Sequence, residues 1–140
     1  MGMLIGAVIG GFLGLVLLNV MALIARNSGN PCDRVSFAST DDVFAKTDAW
    51  AKANGYRLVA SGADLRRYQK GYNFLTAPML LEATRSGSQY TLSSFIRING
   101  LVIQGDMALS GKSFMASLPR SMARKAHNTL RAELGQPLLP

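Results

Sequence analysis

Residues 3–25 carry no charge, and Asn19 is the only strongly polar residue among them. At about 1.5 Å of rise per residue, a helix of this length spans the roughly 30 Å hydrocarbon core of a bilayer. The chain as a whole is 49% apolar over 140 residues, which is rich for a small soluble protein. The stretch therefore predicts a transmembrane helix over residues 1–26.

A cleaved signal peptide is the alternative for the same stretch. Such a peptide has a basic first region, a shorter apolar core and a cleavage site of small residues. Here no Lys or Arg precedes Arg26, and the residues just ahead of Cys32 do not match a lipoprotein cleavage signal. We expect the helix to be retained as an uncleaved anchor.

The flanks of the stretch predict its orientation, because cytoplasmic flanks collect Lys and Arg. Arg26 and Arg34 follow the stretch, and no basic residue precedes it. We therefore place the N-terminus outside and the remainder in the cytoplasm, which for a bacterial protein means the inner membrane. The single cysteine, Cys32, cannot form an internal disulfide, in keeping with a reducing compartment.

Glycine recurs at every fourth position near the start of the stretch, at Gly2, Gly6, Gly10 and Gly14. Residues at this spacing lie on one slowly winding face of a helix. Inside lipid the hydrophobic effect does not bring helices together, whereas small residues let two backbones approach closely. The pattern favours packing against another transmembrane helix over a freely diffusing anchor. The partner is either a second copy or a different membrane protein.

A first soluble helix is predicted over residues 40–54. Ser39 followed by Asp42 is typical of a helix N-cap with an acidic residue near the positive end of the helix dipole. Gly55 suits the C-terminal end of the helix. Between these ends, Trp50 and other apolar residues recur on one face.

The centre of the chain changes to the period of two that is typical of strands. Tyr90, Leu92 and Ile96 share one face with Ser94 and Ile98, and this alternation indicates a half-buried strand. The opposite face carries Thr91, Ser93, Phe95 and Arg97. Asn99 followed by Gly100 indicates a tight hairpin turn, and Gly105 indicates a bulge or bend. The candidate strands cover residues 56–60, 66–70, 77–84, 89–98, 101–104 and 106–109.

A last helix is predicted to begin at Pro119 and to end before Gly135. At 100° per residue it has an apolar stripe and, on the opposite side, a basic stripe. The apolar stripe is Leu118, Met122, Ala126 and Leu130, with Ala123 and Leu134 at its edge, and the basic stripe is Arg120, Arg124, His127 and Arg131.

The basic stripe, together with a formal charge of +7 from 15 Lys and Arg against 8 Asp and Glu, suggests an acidic partner. The anionic cytoplasmic leaflet attracts each nearby Lys or Arg by about 1 kcal/mol. A solvated face that confers solubility is the alternative. Nucleic acid is not expected, because no RNA-binding aromatic motif, zinc finger or KH-type glycine clamp is present. The predicted basic surface is Arg120, Arg124, Lys125 and Arg131, with Arg66, Arg67 and Lys70 as a second patch.

Residues with catalytic chemistry are sparse. His127 and Cys32 are the only residues of their types, which is too few for a zinc site with nitrogen and sulfur ligands. We expect His127 to be a solvated helix residue rather than a catalytic one. Ser110-Gly-Lys-Ser113 lacks the first glycine of a phosphate-binding loop. We expect no catalytic residue, cofactor or metal, and no small-molecule substrate is evident.

Tyr72 and Phe74 lie between two predicted strands and are candidates for an exposed binding loop. Aromatic residues near a turn also commonly cover a core, so this alternative stays open.

These patterns predict an α+β fold: a single transmembrane helix (residues 1–26), a linker (27–39), and a small cytoplasmic domain (40–140). The domain consists of a helix, an antiparallel meander of four to five strands and a second helix. We expect a non-enzymatic single-pass membrane protein, an accessory or assembly subunit of a membrane protein complex that docks through the glycines. The alternative is a homo-oligomer whose domain binds a ligand or lipid through a basic membrane-facing surface.

Overall fold

The computed structural model describes residues 1–27, 29, 31–71, 77–110 and 117–140. Nine helices and strands lie in these ranges. In chain order they are α1 (Gly2–Asn27), β1 (Asp33–Ala38), α2 (Val43–Asn54), β2 (Arg57–Gly62), β3 (Leu65–Lys70), β4 (Met79–Ser86), β5 (Gln89–Asn99), β6 (Gln104–Ala108) and α3 (Ser117–Glu133).

The strands in the described ranges form one antiparallel sheet of six strands. Strands β2 to β5 are consecutive neighbours and make a meander. The remaining two strands share the free edge of β5: β1 pairs with residues 89–94, and β6 pairs with residues 95–99. The α+β class with an antiparallel meander is therefore confirmed.

All three helices pack on one face of this sheet, the face that carries the alternating apolar residues of β5. Leu92 belongs to a core cluster with Trp50 of α2 and Leu130 of α3. Ile98 belongs to a second cluster with Ala22 of α1 and Ala123 of α3. The period-two pattern of β5 therefore sets which face is covered, and its far end receives the end of α1.

Helix α2 begins later than predicted. Asp42, not Ser39, is its N-cap, and the Asp42 carboxylate accepts a hydrogen bond from the backbone N–H of Ala45 at 3.1 Å. The Ser39 hydroxyl instead accepts from the backbone N–H of Asp41. The predicted C-terminal end is confirmed, since Gly55 adopts φ 75° in the left-handed region.

Three local features around β5 differ from the prediction. Part of the predicted linker forms β1, in which Val35 and Phe37 pack on the core cluster of Leu92. The predicted strand over residues 101–104 is largely a turn, because β5 extends to Asn99 and the chain reverses over residues 100–103. Gly105 pairs with Ile98 in regular register, so the expected bulge is absent there. The division into three domains is not tested by these observations and stays a prediction.

Helix α3 is rotated about its axis relative to the prediction. Leu118 is 70% exposed and Met122 is 50% exposed, whereas Ala123 and Leu130 are fully buried. At 100° per residue the buried face lies about 110° from the centre of the predicted apolar stripe. The cause is that three polar residues of the predicted basic stripe occupy the core side, as the next subsection describes.

Candidate functional site

The first two thirds of α1 lie free of the sheet. From residue 2 to residue 18 every side chain of α1 is exposed or half-buried. A Cβ built at any of four glycines of this segment would meet nothing within 4 Å apart from its chain neighbours and the nearby backbone of α1 itself. We call this strip the glycine face; it is formed by Gly2, Gly6, Gly10 and Gly14. In the described part of the chain, α1 is the one helix long and apolar enough to cross a membrane.

The last third of α1 is part of the folded domain. Ala22 and Ala25 are buried against the far end of β5 and β6. Asn19 accepts hydrogen bonds through Oδ1 from the backbone N–H groups of Val102 at 2.9 Å and Ile103 at 3.1 Å. Its Nδ2 donates to the Leu15 carbonyl at 2.8 Å. The one strongly polar residue of the apolar stretch therefore bonds to its own chain through its carbonyl oxygen and one of its two amide hydrogens.

Two glycines allow this close contact between α1 and the hairpin of β5 and β6. A Cβ at Gly105 would lie 2.1 Å from the Ala22 carbonyl oxygen and 2.7 Å from the Arg26 backbone nitrogen. A Cβ at Gly100 would lie 2.9 Å from Cα of Asn19. Backbone atoms cannot move aside as a side chain can, so both positions require glycine.

The turn of this hairpin, residues 100–103, is here called the hairpin tip. Leu101 is 56% exposed and Val102 is 82% exposed, although turns usually carry polar residues. The backbone N–H of Gly100 donates to the Ile103 carbonyl at 2.8 Å across the turn. The N–H groups of Val102 and Ile103 also donate to Asn19, so the tip combines apolar side chains with three backbone N–H groups that are bonded within the chain.

The glycine face and the sheet-packing residues of α1 point in different directions. At 100° per residue, the centre of the glycine face lies about 140° around the helix axis from the centre of Asn19, Ala22 and Ala25. A second helix on Gly2, Gly6 and Gly10 therefore meets α1 on the side turned away from the sheet, whereas the glycine face winds toward the sheet-packing side at Gly14.

Two of the four residues of the predicted basic surface on α3 are buried and not exposed. Arg120 is 4% exposed and Arg131 is 5% exposed. The Arg120 guanidinium donates to the carbonyls of Ala108 at 3.0 Å and Ser110 at 2.6 Å, and the Arg131 guanidinium donates to Pro137 at 3.1 Å. Arg120 thus binds carbonyls at the end of β6, and Arg131 binds a carbonyl of the segment that follows α3. Burial lowers the pKa of each guanidinium.

The other predicted basic residues keep part of their exposure. Lys125 is exposed and Arg124 is half-buried. In the second patch, Arg67 forms an ion pair with Glu82, and Lys70 donates to the Asn54 carbonyl at 3.0 Å. A continuous cationic face on α3 is therefore not supported.

His127 lies in the core and not in solvent, so the expectation of a solvated residue is wrong. It is 1% exposed, its Nε2 lies 3.0 Å from the Tyr56 hydroxyl, and its ring packs edge-on against Trp50. Burial, and then the positive charge of Arg131, lowers the pKa of His127 to about 3. The imidazole is therefore neutral at neutral pH.

The face of the sheet opposite the helices carries an open cleft of about 300 Å³. Its polar residues are largely paired with one another: Arg97 forms a two-point ion pair with Asp106 at 2.7 and 3.1 Å, and Arg67 pairs with Glu82. Cys32 lies half-buried at its rim. Within the described ranges, no group of three His, Cys, Asp or Glu side chains could hold a metal ion.

Two sequence predictions lie outside the described residues. The candidate binding loop with Tyr72 and Phe74 falls in residues 72–76, and most of the loop at 110–113 falls in residues 111–116. Both stay predictions.

Sequence reasoning missed the roles of Asn19, Gly100 and Gly105. The available signals were a lone polar residue in an apolar helix and a glycine inside a strand, which indicates either a bulge or a close backbone approach.

Comparison of the chain with family models, curated proteins and solved structures finds no match.

Proposed function

We propose that this chain is a single-pass membrane protein that acts as an accessory or assembly subunit of a membrane protein complex. Helix α1 docks on a transmembrane helix of the partner through the glycine face. The observation that carries the proposal is the division of α1 into a free apolar part and an end that is built into the domain core.

The contacts at the end of α1 favour a retained anchor over a cleaved signal peptide. Removal of α1 would expose Ile98 and Met107, which pack with Ala22 and Ala25. It would also leave the N–H groups of Val102 and Ile103 without the Asn19 acceptor. A leader peptide destined for removal does not need to complete the hydrophobic core or to bond the backbone of the mature domain.

The same contacts support a role in assembly. A flexible tether lets a domain rotate freely about its anchor, whereas α1 is attached to the hairpin through side-chain and backbone contacts on both strands. A partner that binds the glycine face therefore fixes the direction of the whole domain. Close backbone packing supplies the attraction, since lipid offers no hydrophobic driving force.

The alternative of a lipid-binding domain with a basic surface loses support. Arg120 and Arg131 are buried and donate to backbone carbonyls, so two of its four predicted residues are not available to lipid headgroups. A homo-oligomer held by the glycine face remains a possible result of the test below.

Native mass spectrometry of the full-length chain in mild detergent tests the proposal. We expect the wild-type chain to carry additional mass, and Gly6→Leu and Gly10→Leu to release it as a single chain. Val8→Leu is the matched control, because Val8 is exposed and lies on the opposite side of the helix from the glycine face. An assembly of unchanged mass in both glycine variants would contradict the proposal, and additional mass made up only of further copies would favour the homo-oligomer.

The proposed orientation places the N-terminus outside and the domain in the cytoplasm, because Arg26 and Arg34 both follow the apolar stretch. Cys32 is half-buried and offers a chemical test. A membrane-impermeant thiol reagent should label Cys32 only after intact cells are permeabilised. Labelling of intact cells would show that the orientation is reversed.

A further inference from the structure

We propose that the hairpin tip, residues 100–103, inserts into the membrane beside α1 and forms a second contact between the domain and the lipid. The inference rests on the proposed function, because it requires α1 to cross the membrane. The tip contacts the acyl chains of the lipid, just below the headgroups.

The position of the tip along α1 is the first argument. The tip is bonded to Asn19, whereas the first charged residue of α1 is Arg26, which is exposed. The helix rises about 10 Å between these two residues. A headgroup layer is about 5 to 8 Å thick on each side of the hydrocarbon core. With the Arg26 guanidinium at the headgroups, the tip therefore lies at or below the hydrocarbon boundary.

The side chains of the tip are the second argument. The tip contains one glycine and three aliphatic residues and no polar side chain. Val102 is 82% exposed, and Leu101 is 56% exposed. Val20, which follows Asn19 on α1, is also 46% exposed, so apolar side chains are exposed on both the helix and the turn at this level.

The backbone of the tip is the third argument. Lipid offers no partner for a backbone N–H group, so a segment that enters it must satisfy such groups internally. The N–H groups of Val102 and Ile103 donate to Asn19 Oδ1, and that of Gly100 donates to the Ile103 carbonyl. A turn exposed to water does not need a helix side chain for this purpose.

Fluorescence quenching in lipid vesicles tests the inference with the full-length chain. Single-cysteine variants in a Cys32→Ser background carry an environment-sensitive dye at residue 102, 12 or 59. The vesicles are phosphatidylcholine with nitroxide-labelled phosphatidylcholine, the nitroxide placed high on the acyl chain or near its end. Val59 is the matched control, because it is 42% exposed on β2, the strand at the opposite edge of the sheet.

We expect the dye at Val102→Cys to show blue-shifted emission and stronger quenching by the shallow nitroxide than by the deep one. The dye at Phe12→Cys, on the free part of α1, should be quenched more by the deep nitroxide. The dye at Val59→Cys should keep the emission of a water-exposed dye and resist both quenchers.

Three results would overturn the inference, and they are distinguishable. Water-like emission at position 102 with quenching at position 12 overturns the inference alone. Blue-shifted emission at position 102 that neither nitroxide quenches shows that protein covers the tip instead of lipid. Absence of quenching at position 12 shows that α1 does not cross the bilayer, which overturns the proposed function together with the inference.

Discussion

Replacement of Gly105 by alanine should separate α1 from the sheet. The new Cβ would lie 2.1 Å from the Ala22 carbonyl oxygen, 2.7 Å from the Arg26 backbone nitrogen and 3.0 Å from Cβ of Ala25. These neighbours belong to the α1 backbone or to a side chain with no rotatable bond. The helix has to move by about 0.9 Å before the first distance reaches 3.0 Å, below which Cβ atoms essentially never approach another atom.

The expected cost of Gly105→Ala follows from this geometry. An added methyl group in a well-packed contact usually costs about 1 to 3 kcal/mol. The cost falls on the docked state of α1, because undocking removes the clash. The equilibrium between docked and undocked α1 should therefore shift by about 5- to 150-fold toward the undocked state.

Hydrogen exchange of the full-length chain in detergent measures this shift at the affected contact. The amides of Val102 and Ile103 are bonded to Asn19, so they exchange only when α1 leaves the hairpin. We expect their exchange to accelerate by about the same 5- to 150-fold. Gly62→Ala on β2 is the matched control, because a Cβ there meets no described atom within 4 Å. Equal exchange in the two variants would refute the described contact between α1 and β6.

Two further predictions concern polar groups. Asn19→Leu leaves the N–H groups of Val102 and Ile103 without their acceptor, which costs about 1 to 3 kcal/mol per group. Hydrogen exchange of these two amides should accelerate, while the melting temperature of the distant core around Trp50 changes little. Slow exchange of the two amides in this variant would contradict their bonding to Asn19. Burial lowers the pKa of His127 to about 3 in the folded state, so on acidification the unfolded chain binds a proton at His127 before the folded chain does. The contribution of neutral His127 to the free energy of unfolding is therefore fully present above about pH 6.5 and is lost as the pH falls toward 3. Melting followed by Trp50 fluorescence should show a slope of up to about 1.4 kcal/mol per pH unit in this window, and His127→Gln should remove that slope.

Strand β5 and its buried face could be predicted because its local sequence pattern matches the side chains that pack in the core. The alternation of Tyr90, Leu92 and Ile96 gave both the strand and its buried face, and these residues are indeed in the core. Strand β1 was missed because it contains only two large apolar residues, Val35 and Phe37, after a segment with linker composition. Its pairing with β5 depends on a strand far away in the sequence, which no local pattern can show.

The orientation of α3 could not be predicted from hydrophobic periodicity because the pattern counted arginine and histidine as solvent residues. Arg120 lies on the core side because its guanidinium binds carbonyls where β6 ends. His127 lies there because Tyr56 and Trp50 receive its neutral ring. Long cationic side chains can bury their stems and still reach polar partners, and these partners are known only once the fold is known.

The roles of the glycines also depend on contacts that are known only once the fold is known. The four-residue register of the glycine face was visible in the sequence, whereas Gly105 indicated a bulge or bend and not the close backbone approach that the structure has. The close approach at Gly105 is made by α1, which is far from Gly105 in sequence and contacts it only in the folded chain.

The bonding of Asn19 bears directly on how a partner can be recognised. A polar side chain in a membrane helix commonly stabilises association by bonding to a neighbouring helix. The carbonyl oxygen of Asn19 and one of its two amide hydrogens are already bonded to groups of the same chain. We therefore expect partner binding to rely mainly on backbone packing at the glycine face, whose centre lies about 140° around the helix from the docked sheet. The two functions of α1 should then separate experimentally: Asn19→Leu loosens the domain without changing the mass of the assembly, and Gly10→Leu dissociates the assembly without accelerating exchange at Val102.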